Sequence, residues 1–234
     1  MFPMFFFDPT MILVLPALAF ALWAQWKVSS TFKRYNQIPT RSRLTGRAVA
    51  TQILRQNMLN DVEVGHVSGE LTDHYDPSSK IVNLSDSNYA SYSVASLAVA
   101  AHEVGHALQH AQGYQPITWR ARLVPAANIG SFAAFPLFFI GMLFGKGMGI
   151  FFMDLGIALF LFALLFHVVT LPVEFNASKR ALAILESNGM LVSDEVAGAR
   201  AVLRAAALTY VASATMALMQ LLRLLILRNA MSRD

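Results

Sequence analysis

The stretch "VAAHEVGHALQHAQG", Val99 to Gly113, carries two histidines four positions apart, His102 and His106, with Glu103 directly after the first. Ala, Leu and Val dominate from Val94 to Ala111, Ser91 or Ser93 stands where an N-cap belongs, and Gly113 supplies a stop, so a helix is predicted. On a helix, positions i and i+4 share a face about 6 Å apart along the axis, which lets two imidazoles converge on one ion while the carboxylate acts on a bound water. Burying three ionisable groups in an otherwise apolar helix is costly, and metal ligation removes that cost. A working metal site then needs a third protein ligand.

The surrounding chain says what kind of protein must supply it. Its 234 residues are 56% hydrophobic and 14% charged, with a mean hydropathy of +0.49, whereas soluble domains carry about 25% charged residues. An integral membrane protein follows. The absence of cysteine excludes disulfides, a thiol nucleophile and Cys-ligated metal, and leaves His, Asp and Glu as ligands. The net charge of +4 does not point to nucleic acid, because the basic residues flank apolar runs and read as membrane anchors. The lipid bilayer is the partner this composition names; it is silent on oligomeric state.

Four apolar runs are candidate spans: residues 9–26, closed by Trp23 and Trp26, then 126–144, 150–171 and 206–227. Lys27, Lys33, Arg34, Arg41, Arg43 and Arg47 follow the first run and no Lys or Arg precedes it, so it reads as an uncleaved anchor with a cytoplasmic continuation. The expectation is a mainly α membrane protein: one domain over 1–234, about four transmembrane helices, and a zincin-like HExxH helix with a small β-sheet on the cytoplasmic side of the inner membrane. The cytoplasmic part covers about 28–124 and 173–205. Within it, 28–60 reads as a basic connector followed by a short amphipathic interfacial helix. Val62, Val64 and Val67 with Ile81, Val82 and Leu84 predict a small antiparallel sheet whose loop holds Asp76-Pro77.

The second and third spans are joined by the short link "GKGMG" and so form a hairpin, with Gly141 and Gly145 at the spacing of a small-residue helix contact. After Pro172 a new helix is expected from about Asn176 to Asn188, and Ser193 with Asp194 and Glu195 starts the last one. Arg223, Arg228 and Arg233 at its far end run against the charge rule, which leaves its full crossing open.

For the third ligand, Gln109 and Gln112 occupy the places where a metzincin has glycine and a third histidine, so that class is excluded. His110 sits two turns from His102 and reads as a polar residue near the helix end. Glu174 is the better candidate: it is the first carboxylate after the third span, and the hairpin crosses the membrane twice before reaching it. His102, His106 and Glu174 leave a fourth position open, as a catalytic zinc requires.

The stretches "AAHEVGHALQHAQGY", "LTDHYDPSSK", "LPVEFNASKRALAIL" and "AAALTYVA" resemble the neutral zinc metallopeptidase family of bacterial membrane proteins, the YugP type, over about residues 28–228. They are more distantly similar to the HtpX and CAAX-prenyl endopeptidases. Those carry Glu-x-x-Ala-Asp as a second motif, whereas this chain reads Glu174, Phe175, Asn176, Ala177, Ser178, with Ser178 in place of the ligand-orienting Asp. The resemblance implies a Zn2+-dependent peptidase acting on peptides or membrane proteins. In that chemistry Glu103 takes the proton from the water and passes it to the leaving amine. Tyr210 is the first choice as donor to the oxyanion, with Arg180 and His74 behind it. His167, inside the third span, reads as a packed neutral histidine. Ile81, Val82, Asn83 and Leu84 are expected to bind substrate as an edge strand. Two rivals stand: an intramembrane-cleaving protease with Asp154 as a ligand, and a non-catalytic zinc-stabilised scaffold or metal-binding protein whose site is closed by a fourth residue such as His110.

Overall fold

The computed structural model describes residues 9–145 and 147–233. Lys146 of the hairpin link and the side chain of Arg233 lie outside the described part. In chain order the elements are α1 (Met11–Asn36), α2 (Gly46–Gln56), β1 (Glu63–Val67), β2 (His74–Asp76), β3 (Ile81–Ser85), α3 (Asp86–Tyr89), α4 (Val94–Ala111), α5 (Gln115–Phe144), α6 (Met148–Ser187) and α7 (Ser193–Arg233). The protein is mainly helical, and α1, α5, α6 and α7 are long and apolar enough to cross a bilayer. The elements divide into two compact units.

One unit holds the described parts of Met1–Ala24, Trp119–Leu171 and Thr209–Asp234. Phe138, Met153, Phe160, Ala217 and Leu224 form its core, while Ile12, Phe132 and Leu143 point outward, as side chains facing lipid do. The antiparallel helices α5 and α6 touch backbone to backbone: a Cβ on Gly141 would lie 2.5 Å from the Gly149 carbonyl, and one on Gly149 would overlap the Gly141 carbonyl. Only glycine fits there. The expected partner Gly145 does something else, taking φ +67 to end α5, with open space where a Cβ would stand. At the end of α7, Arg223 Nε donates to Thr10 Oγ1 at 3.2 Å, and Arg228 donates twice to Asp154 at 2.8 and 2.9 Å. Thr10 precedes α1 and Asp154 lies near the start of α6. The last helix therefore runs the full length of this unit.

The other unit holds Gln25–Thr118 and Pro172–Leu208. Here α1 continues through the basic residues to Asn36, where the sequence suggested a connector. Helix α2 starts at Thr45, whose Oγ1 accepts from Ala48 N at 3.2 Å. It buries Val49, Ala50, Ile53 and Leu54 in the same core as α4 and leaves Arg47 and Arg55 exposed, the amphipathic division the sequence predicts. Helix α4 has the expected bounds, with Ser93 accepting from Ser96 N at 3.0 Å as its cap and Gly113 at φ +61 beyond its end. Pro172 does not start a new helix but lies inside α6, because a proline forfeits one backbone hydrogen bond without forbidding helical geometry where packing holds both sides.

The sheet corrects the expected topology. Its order is β1-β3-β2, with β1 parallel to β3 and β2 antiparallel to it. Residues 68–80 are long enough to form β2 on the way and let β3 return between β1 and β2. The β2–β3 turn is tied by Asp76, which accepts from Ser78 N at 2.8 Å and from Ser79 Oγ at 2.7 Å. Ile81, Val82 and Asn83 consequently have strand neighbours on both sides; the expected edge strand is the middle one. Val82 and Leu84 face the core with α4.

Candidate metal centre

The centre is a seam between two helix faces in the second unit. On α4 the face reads His102, Gly105, His106, Gln109; on α6 it reads Val173, Glu174, Ala177, Ser178, each at the i, i+3, i+4 spacing of one helical stripe. Gly105 sets the distance between them, since a Cβ there would lie 2.9 Å from the Ala177 carbonyl. With Gly at that position α4 comes close enough for Glu174 to reach both rings.

His102 Nε2 lies 3.2 Å and His106 Nε2 3.5 Å from the same oxygen, Glu174 Oε2. The ligand atoms of all three lie within 4.8 Å of one another, and the two rings are nearly perpendicular, at 85°. Ligand atoms about 2.0–2.1 Å from a tetrahedral zinc stand roughly 3.3–3.5 Å apart, so the contacts to Glu174 fit two edges of that tetrahedron. The Glu174 side chain is only 2% exposed, so its charge needs compensation, and the two imidazoles, or a cation held with them, supply it. Burial pulls the His106 imidazole down, yet contact with Glu174 and the charge of Glu103 together carry it above the ordinary histidine value. Behind the rings, Gln109 Oε1 sits 3.0 Å from His106 Nδ1 and Ser178 Oγ 3.2 Å from His102 Nδ1. Ser178 thus reaches the ring of the ligand candidate His102.

Glu103 lies at the edge of burial, and its carboxylate makes no hydrogen bond to a described residue. Among the described residues no fourth His, Asp or Glu joins the group of three. His110 is engaged elsewhere, its Nδ1 3.0 Å from the Tyr75 hydroxyl. His74 is held on the outer face of the sheet by the Thr72 carbonyl and Asn83, and Arg180 donates to Asn176 and Gln112. Asp154 is paired with Arg228 in the other unit. His167, stacked edge-on against Phe166, and the half-buried Tyr210 belong to that unit too. Gln109 is the polar residue whose role the sequence reading missed. Its signal was position: a fully buried amide one turn beyond the second histidine needs partners, and the imidazole is in reach.

The profile of the family described as "Putative neutral zinc metallopeptidase" matches residues 10–229. Among curated proteins, "Putative membrane protease YugP" of Bacillus subtilis (strain 168) is 46% identical over 211 residues, which is 90% of this chain and 92% of that protein. No solved structure matches the chain.

Proposed function

Because the chain belongs to this family of neutral zinc metallopeptidases of the membrane, we propose that His102, His106 and Glu174 ligate a catalytic zinc. In this reading the enzyme hydrolyses peptide bonds of proteins or peptides at the cytoplasmic face of the inner membrane. The observation that carries it is the pair of Nε2 atoms facing one buried carboxylate oxygen at 3.2 and 3.5 Å. Zinc bound there supplies Lewis-acid polarisation of a water and of the scissile carbonyl.

The chain's own groups do the rest. Glu103 takes the proton of the attacking water and delivers it to the leaving amine, for which a carboxylate with no hydrogen bond to a described residue is suited. Tyr210 is the proposed hydrogen-bond donor to the developing oxyanion, on the chemistry of its neutral phenol. The cytoplasmic face is supported by the basic run from Lys27 to Arg47 after the first span.

The test is zinc content and cleavage of casein or a peptide by the detergent-purified protein. Glu103→Gln should keep its zinc and lose about 10²–10⁴-fold in turnover. Wild-type turnover in that variant removes Glu103 from the chemistry, and absence of zinc from the wild type removes the metal site.

A further inference from the structure

The two imidazoles are held from behind by different kinds of group. Ser178 Oγ, 3.2 Å from His102 Nδ1, is a hydroxyl that donates or accepts as required, so it leaves the proton on that ring undecided. Gln109 does not, because its other end is committed. Its Nε2 donates to the Val173 carbonyl at 2.8 Å and to Asn176 Oδ1 at 3.0 Å. A backbone carbonyl only accepts, so the amide nitrogen must face Val173 and the amide oxygen must face His106. Asn176 is fixed in the same way from the far side: Arg180 Nε, which can only donate, reaches its Oδ1 at 2.6 Å. Gln112 Oε1 accepts from the same guanidinium and anchors it to α4. Every link therefore has its donor decided by a group that cannot reverse.

We infer that Gln109, backed by Asn176 and Arg180, is a positioning residue that holds a proton on His106 Nδ1 and so leaves Nε2, the nitrogen facing Glu174, as the one that binds metal. The inference rests on His106 being a ligand. It divides the labour between the histidines: His106 is the preset ligand and His102, facing a reversible hydroxyl, is the one that adapts. Gln109 is fully buried, as a group that sets a tautomer must be if water is not to compete.

The test compares full-length variants in detergent by competition for zinc with a chelator of known affinity, and by the visible absorption of the Co2+-loaded protein. Gln109→Met, which keeps the volume and removes both polar ends, should weaken zinc binding about 10–100-fold and alter the cobalt bands. Gln109→Glu restores an acceptor to His106 Nδ1 while losing the donation to Val173, and should recover most of that affinity. A role in packing alone predicts the reverse order, since the buried charge would be the more disruptive change. Asn176→Asp, which still accepts from Arg180 and Gln109, should match wild type, whereas Asn176→Leu should bind zinc several-fold more weakly. Wild-type affinity in Gln109→Met, or no recovery in Gln109→Glu, overturns the inference while leaving the peptidase reading in place. Failure of the wild type to bind zinc overturns the reading of the ligands and the inference with it.

Discussion

Glu174 is the most enclosed member of the cluster, and that enclosure sets what its loss should do. Glu174→Ala leaves two imidazoles without the carboxylate that draws them together, so zinc retained after dialysis should fall by more than the ~10–100-fold that outer partners of a metal ligand typically cost. Elemental analysis of the purified variant checks this. Ser178 should behave differently from its counterpart behind His106. Ser178→Asp gives His102 a charged acceptor and should tighten zinc binding, while Ser178→Ala should cost less than Gln109→Met, both read by chelator competition. For Tyr210→Phe the expected signature is a fall in kcat of roughly 10²–10³-fold with little change in KM, as loss of an oxyanion donor produces. A change confined to KM would assign the hydroxyl to substrate binding instead.

At the scale of elements, Gly105 does more than permit a turn of helix. Alanine is intrinsically the better helix former by about 1 kcal/mol, yet Gly105→Ala should destabilise the protein by ~1–3 kcal/mol through overpacking and weaken zinc binding with it. The obstructing atoms are the carbonyl and Cα of Ala177, so Ala177→Gly should not rescue the variant; thermal melts of the single and double variants decide it. The loop between β1 and β2 makes a pH-dependent prediction. Asp86 accepts from Gly69 N at 2.8 Å and lies 2.6 Å from His66 Nε2, and these partners, the Gly69 N–H first, hold its carboxyl below the usual aspartate value. A carboxyl depressed on folding contributes above its unfolded value and loses that contribution as pH falls through the folded one. The protection of the Gly69 amide against exchange, relative to its intrinsic rate, should accordingly fall only in acid, and an Asp86→Asn variant should lose most of that dependence. Helix α4 was legible because its cap, its stop and its i, i+4 histidines are all local signals, and Glu174 because topology limited the choices. Strand direction was not, since the alternation of Val62, Val64, Ile81 and Leu84 reports which faces are buried and says nothing of polarity. Pro172 misled for a related reason: its local preference is overridden by the packing of a helix that carries Thr170 on one side and Glu174 on the other.

For the molecule as a whole, the proposed orientation places the basic segment after α1 in the cytoplasm, and four crossings, one for each candidate span, would bring the end of α7 to the opposite side. An alkaline phosphatase fused to the C-terminus should therefore be active in whole cells, and one fused after Gly113 should not; the opposite pattern would invert the proposed orientation. The Asp154–Arg228 pair described above has a bearing on biogenesis. The carboxylate is synthesised 74 positions before its guanidinium, so during translation α6 must enter the insertion machinery carrying an acid whose counter-ion is still on the ribosome. Nascent chains that stop short of residue 228 should stay bound to the translocon or be cleared by quality control, and those a few residues longer should be released.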